Sequence, residues 1–488
     1  MRGMSDRLSR FFSPATIWPA MIAICCLFAL YAAVFQPAYF SSSDQLATLL
    51  FLQVLLAAVW KYRTRFFPLL LATFLWAGMA LPLNAAWTSG RWLVLVVGAL
   101  AGLVVYTRDR MQSFAIFHLV ALFCVVSALV SAAVSPYPRL ALLKAMSLLL
   151  LFLYGASGAR VAVIGREAIF FRRLLMGCEL LVYTTAISYL IFHAEIFGNP
   201  NSMGAVMGVA AAPILLWGIL VSEQPSTRWR RIFAFALALL LLFSSYARAG
   251  IAAAVVSSIL LCVALRRYGL LLRGAALALS LAAFVAAVVP LHHQPSDSLE
   301  SVFVYKGRRE GGVLASRRPI WDETVSAIQQ HPWLGSGFGT SPTSSEVVRS
   351  PGSFESLREA TREHGNSYLA ITEWVGFVGD IPFLALVILI AANVGRALVR
   401  GHQTGLARSP AIPLAGVLAA GLVHAAFEDW LFAPGYYLCV FFWALAFVMV
   451  DILATTSVAT VEQSGPHVWT HGLAHDRALN VQTICHIG

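Results

Sequence analysis

Apolar runs long enough to cross a lipid bilayer follow one another along most of this sequence, and no other feature restricts the fold as much. A hydrocarbon core about 30 Å thick takes roughly 20 apolar residues to cross as a helix, and a helix satisfies every backbone group without water. About fourteen such runs are present, near 17–35, 45–60, 66–83, 92–106, 114–134, 141–159, 174–192, 202–220, 232–246, 250–265, 274–291, 374–395, 411–428 and 435–455. The chain is 59% hydrophobic and only 12% charged over 488 residues. Its mean hydropathy of +0.76 exceeds what a water-facing surface tolerates. The expected fold is therefore an all-α polytopic membrane protein, with its first run retained as an anchor because no small-residue cleavage site follows it.

Orientation follows from the basic residues. Arg2, Arg7 and Arg10 put the N-terminus in the cytoplasm, and alternation then assigns every later loop. The inside loops hold Lys61, Arg63 and Arg65; Arg108 and Arg110; Arg160, Arg166, Arg172 and Arg173; Arg228, Arg230 and Arg231; Arg266, Arg267 and Arg273; and Arg396, Arg400 and Arg408. The short outside loops hold only Arg91, Arg139 and Arg248. The net charge of +11 is thus mainly a topology signal, and no nucleic-acid partner is expected. Residues 292–373 form one large outer loop of mixed charge, and residues 456–488 form a flexible cytoplasmic tail with His467, His471, His475 and His486. Six of the seven cysteines lie in apolar runs and behave as small hydrophobes, so neither a disulfide framework nor a cysteine metal site is expected.

Four segments on the outer side stand out. "GNPNSMG" places Asn199, Pro200 and Asn201 before an apolar run, a pattern that also suits a plain helix start. "SSYARAG" holds Arg248 almost at membrane depth, where an unpaired cation costs several kcal/mol unless it snorkels to the interface. "SRRPIWDETVSAIQQHPWLGSGFG" spaces Ile320, Thr324, Val325 and Ile328 as an amphipathic helix that ends at His331-Pro332 in a glycine-rich turn, with Arg317 and Arg318 at its start. "REHGNSYLAITEWVGFVG" delivers His364 and Asn366 to the mouth of the next apolar run, where Asn366 also suits a helix cap. Further on, "HAAFEDWLF" gathers His424, Glu428 and Asp429 at an outer edge.

In order and spacing these segments resemble the O-antigen ligase and polymerase superfamily of bacterial envelope proteins, over roughly residues 195–450. Residues 1–194 would then be N-terminal membrane helices ahead of the catalytic region. The resemblance implies a GT-C-like membrane glycosyltransferase of the bacterial inner membrane, independent of metal or other cofactor. Its donor would be a glycan on undecaprenyl pyrophosphate, and its acceptor a growing glycan or a lipid A core at the periplasmic face, amid membrane lipids. Arg248 and Arg317 would hold the pyrophosphate, with Arg318, Asn199, Asn201 and Asn366 nearby and His424, Glu428 and Asp429 as sugar contacts or partners of the arginines. His364 would be the general base, with His331 as the rival. The sequence departs from the family pattern in three places: Gly365 separates His364 from Asn366, Ser316 precedes Arg317, and Ala247 precedes Arg248. A transporter or flippase of lipid-linked sugars is the alternative, although no internal repeat of the kind carriers show is visible.

Overall fold

The computed structural model describes residues 84–109, 115–276, 317–341, 362–405 and 407–464, together with a few residues at 74–79 and Ser280. The runs expected near 17–35 and 45–60, and nearly all of those at 66–83 and 274–291, lie outside the described residues, as do most of the outer loop and the tail histidines.

The described chain is all-helical. In chain order it forms α1 Asn84–Asp109, α2 Ile116–Val134, α3 Pro138–Val163, α4 Glu167–Ile191, α5 Pro200–Val221, α6 Pro225–Ser244, α7 Arg248–Ala264, α8 Arg318–Gln330, α9 Ser367–Thr404, α10 Ala411–Ala425 and α11 Tyr437–Ser464. Ten of the expected runs fall on ten of these helices, and six helices are long and apolar enough to cross a membrane. α5 and α11 are the centre of the bundle, with 89% of their apolar windows buried, whereas α9 has only 28% buried. Ile381, Leu384 and Ile388 recur on α9 at helical spacing and are more than half exposed, as suits a face solvated by lipid.

Because the helices alternate in direction, all the segments singled out in the sequence arrive at one end of the bundle. Ser135, after α2, hydrogen-bonds Thr340 in the glycine-rich turn at 3.0 Å. At the start of α5 and α7, Gly204 packs against Ser245 and Ala247 and Gly208 against Gly250 with no room for a Cβ, which sets the residue before Arg248 against the first turns of α5. The opposite end holds its own contacts, such as the Trp217 indole N–H donating to the Ala407 carbonyl at 2.9 Å.

Three basic residues assigned to inside loops are held by carboxylates that lie in apolar helices. Arg160 forms a 2.5 Å ion pair with Asp451 of α11, each side chain 6% exposed. Arg230 and Arg231 both pair with buried Glu179 of α4. An acidic residue inside an apolar helix needs such a partner, so part of the positive-loop signal is structural. Two boundaries also differ from expectation: α11 continues to Ser464, and α9 begins at Ser367, ahead of its apolar run.

α9 is interrupted at Gly376, whose φ of 69° and ψ of 175° only glycine adopts readily. The carbonyls released by this break are taken up by the glycine-rich turn after α8. The Ser336 N–H donates to the Glu373 carbonyl at 2.9 Å, and the Gly337 N–H to the Trp374 carbonyl at 3.1 Å. In return the Phe377 N–H donates to the Pro332 carbonyl at 2.7 Å. Gly335, at φ 73°, lies against the backbone of Trp374 with no space for a side chain. α8 thus rests across the end of the bundle, burying Thr324 and Ile328 while Val325 points outward.

Candidate active site

His364 sits in the short segment 362–366 that leads into α9, and Asn366 ends that segment by capping the helix. The Asn366 side chain accepts the N–H groups of Tyr368 at 2.9 Å and Leu369 at 3.2 Å. Asn199 has the same role at α5, accepting the Ser202 N–H at 2.7 Å. Asn201 and Arg318 are exposed, and so is His331 at the C-terminal end of α8.

The imidazole of His364 is buried and occupied on both sides. Its Nδ1 lies 3.1 Å from Asp429 Oδ2, and that same oxygen accepts the His364 backbone N–H at 2.8 Å. Its Nε2 lies 2.8 Å from Ser341 Oγ and 3.4 Å from Glu373 Oε2. The Trp374 indole N–H also donates to Ser341 Oγ, at 3.1 Å. Burial by itself would lower the His364 pKa, but the hydrogen bonds and charges of Asp429 and Glu373 outweigh it and raise the pKa above the ordinary histidine value. Asp429 shows the converse: burial would raise its pKa, and the His364 contacts carry it below the usual range. The pair therefore favours imidazolium beside carboxylate.

Beside this pair lies a cluster of arginines and carboxylates. Arg317 makes an ion pair with Glu428 and touches Glu363 at 3.4 Å. The guanidinium lies directly over Gly365, which has φ 61° and no room for a Cβ. The glycine that separates His364 from Asn366 thus makes space for Arg317. Trp321 of α8 donates its indole N–H to the Gly365 carbonyl at 3.2 Å, holding the two segments together. Arg248 stands close enough to Arg317 for the two like charges to repel. Such a pair of guanidiniums is suited to an anion with more than one charge. Glu428 is raised above the ordinary carboxylate range by burial, against the pull of Arg317.

The structure thus brings Arg248, Arg317, His364, Glu428 and Asp429 together. Ser202, in the Asn199 turn, joins them through a hydrogen bond to Tyr436, which also senses the charges of Glu428 and Asp429. His424 lies beneath, 2% exposed, its Nδ1 accepting the Trp430 indole N–H at 2.8 Å. Exposed Arg318 and His331 do not enter the cluster.

Residues 233–384 match the O-antigen ligase family. The chain carries an O-antigen ligase-related domain. The domain contains Arg248, Arg317 and His364, while Asn199, His424, Glu428 and Asp429 come from outside the matched stretch. No curated protein matches the chain.

The ligase-related domain also holds groups that the sequence reading passed over. Glu373, 1% exposed, pairs with Arg362, which reaches Glu323 at 3.2 Å as well. A carboxylate at the start of an apolar run was itself a signal, by the argument applied to Arg248. Ser341 carried no such signal. Among the described residues, no group of three or more His, Cys, Asp or Glu side chains is arranged to hold a metal ion.

Proposed function

We propose that this protein is an integral membrane glycosyltransferase that moves a glycan from undecaprenyl pyrophosphate to an acceptor hydroxyl at the periplasmic face. It would act as an exopolysaccharide or O-antigen polymerase or as an O-antigen ligase, and polymerisation is the form we favour. The observation that carries this reading is Arg317, ion-paired to partly exposed Glu428 and lying over Gly365 beside buried His364 and its partner Asp429, in a chain whose ligase-related domain also holds Arg248. Guanidinium groups bind phosphate oxygens in a planar fork and keep their charge at any working pH. They would hold the pyrophosphate and stabilise it as it leaves, the charge neutralisation that a divalent ion supplies elsewhere. The proton of the attacking hydroxyl would pass to the group formed by His364, Asp429 and Glu428.

A carrier for the same lipid would be expected to place its ionisable groups near mid-depth, between repeats. The cluster described above instead lies at helix ends. Deleting the gene and analysing surface glycan separates the possibilities. Single-repeat products mark a lost polymerase, and undecorated core marks a lost ligase. An unchanged surface glycan would overturn the proposal. Cysteine-accessibility labelling of residues 292–373 from the periplasm tests the orientation, and retained transfer in the presence of a chelator tests the metal-free chemistry.

A further inference from the structure

We propose that Glu428 is the proton acceptor for the attacking hydroxyl, and that the donor's diphosphate exposes it by replacing it on Arg317. The inference rests on the glycosyl-transfer reading above. Of the acid–base groups at the site, His364 and Glu373 are each 1% exposed. Both nitrogens of His364 are engaged, and Asp429 receives two N–H groups from it. Glu428 differs. Its side chain is 20% exposed, and among the described residues its ion-pair partner is the guanidinium that the donor itself would need, whereas Asp429, at 25% exposure, is held by the two His364 N–H groups.

The backbone around Glu428 is fixed independently of its side chain. Its carbonyl accepts the Ser367 hydroxyl at 2.6 Å, and that hydroxyl oxygen accepts the Leu431 N–H at 3.1 Å, which ties the loop to the start of α9. A diphosphate carries more charge than a carboxylate and fits the guanidinium fork, so it would displace Glu428 from Arg317. Arg248, already repelled by Arg317, would gain from the same anion. Arg317 faces Glu428 from the residue that precedes α8, Glu363 from the segment before α9, and Asp429 and Tyr436 from its own loop. Once Arg317 has turned to phosphate, the groups left around Glu428 are acidic or neutral, and its affinity for a proton rises.

The step balances without a further reactant. The acceptor O–H bond breaks and its proton goes to the Glu428 carboxylate. The acceptor oxygen bonds the anomeric carbon, and the bond from that carbon to phosphate breaks, its electron pair leaving with undecaprenyl diphosphate between Arg317 and Arg248. Glu428 then returns its proton to water.

The test uses membranes of a deletion strain, which supply native donor and acceptor, supplemented with full-length wild type, Glu428→Gln, Glu428→Asp or Arg317→Lys. Consumption of lipid-linked glycan gives the rate, and binding of purified undecaprenyl diphosphate gives the affinity. Glu428→Gln is expected to slow transfer by about 100-fold or more while binding undecaprenyl diphosphate as well as or better than wild type, because a competitor for Arg317 is gone. Glu428→Asp keeps a carboxylate and should recover part of the rate. Unchanged transfer in Glu428→Gln, or loss of binding together with rate as expected of Arg317→Lys, would overturn the assignment. A wild type that neither binds undecaprenyl diphosphate nor consumes lipid-linked glycan would instead remove the glycosyl-transfer reading on which it rests.

Discussion

The two ends of the helix bundle use the same residue types in opposite ways. At one end Arg160 and Asp451 close on each other at 2.5 Å with 6% exposure apiece, and Glu179 holds both Arg230 and Arg231. At the other, Arg317 divides itself between Glu428 and the 62% exposed Glu363, with Arg248 nearby. At the first end the Arg160–Asp451 pair is closed to solvent. The second combines two cations with carboxylates that an arriving anion can replace. Charge content alone does not separate a fastening from a binding site; accessibility and exchangeable partners do.

Removing one member of the closed pair should have the largest effect on stability. Asp451→Ala removes the carboxylate paired with a buried guanidinium and is expected to cost about 3–5 kcal/mol, whereas the double replacement Arg160→Met with Asp451→Leu should be close to neutral. Thermal unfolding in detergent measures both, and equal losses in single and double variants would break the contrast. At the other end Arg317→Lys keeps the charge but loses the fork. It is expected to lower transfer by about 10²–10³-fold while leaving insertion and melting unchanged. A lysine variant that transfers normally would reduce Arg317 to a fastening like Arg160.

The helices were legible because crossing a bilayer requires long apolar runs, and a run of that length has few alternatives. Arg248, Arg317 and His364 were legible as segments that resemble one family, and Glu428 with Asp429 as an acidic pair at a helix edge. Their pairing was not. Asp429 meets His364 across 65 positions, and Glu373 reaches the histidine from the first turns of α9, ahead of the break at Gly376. Nothing in a run of apolar residues announces that a glycine inside it will take a backbone conformation closed to other residues. The ion pairs of Arg160 and Arg231 were hidden for a related reason: their carboxylates lie in different helices, and periodicity says nothing about which helices will touch.

The break supplies the next prediction. Gly376→Ala is expected to cost about 1–3 kcal/mol from backbone strain, with the added Cβ pressed against Trp333 and Gly335. Transfer should fall with it as Glu373 shifts under His364; melting and transfer assays on the same variant check the coupling, and an intact transfer rate would show that the break serves packing alone. The smallest effect concerns pH. The His364 pKa is raised in the folded protein, so its stabilising contribution is complete below the ordinary value of about 6.5 and is lost as pH rises through the raised value. The melting advantage of wild type over His364→Gln should therefore shrink toward alkaline pH. A difference that stays constant with pH would mean that the imidazole is not held as a cation.

The interruption at Gly376 also divides α9 by solvent. From Phe377 onward the helix keeps enough apolar chain to cross a hydrocarbon layer on its own, so residues 367–375 are spare length. Spare length at the rim can lie among headgroups and protein rather than acyl tails, and an ionised side chain there escapes the transfer penalty that the same residue would meet two turns further in. Glu373 belongs to that spare length. The kink thus lets one helical stretch serve two media, carrying Glu373 on the portion that insertion into lipid does not need.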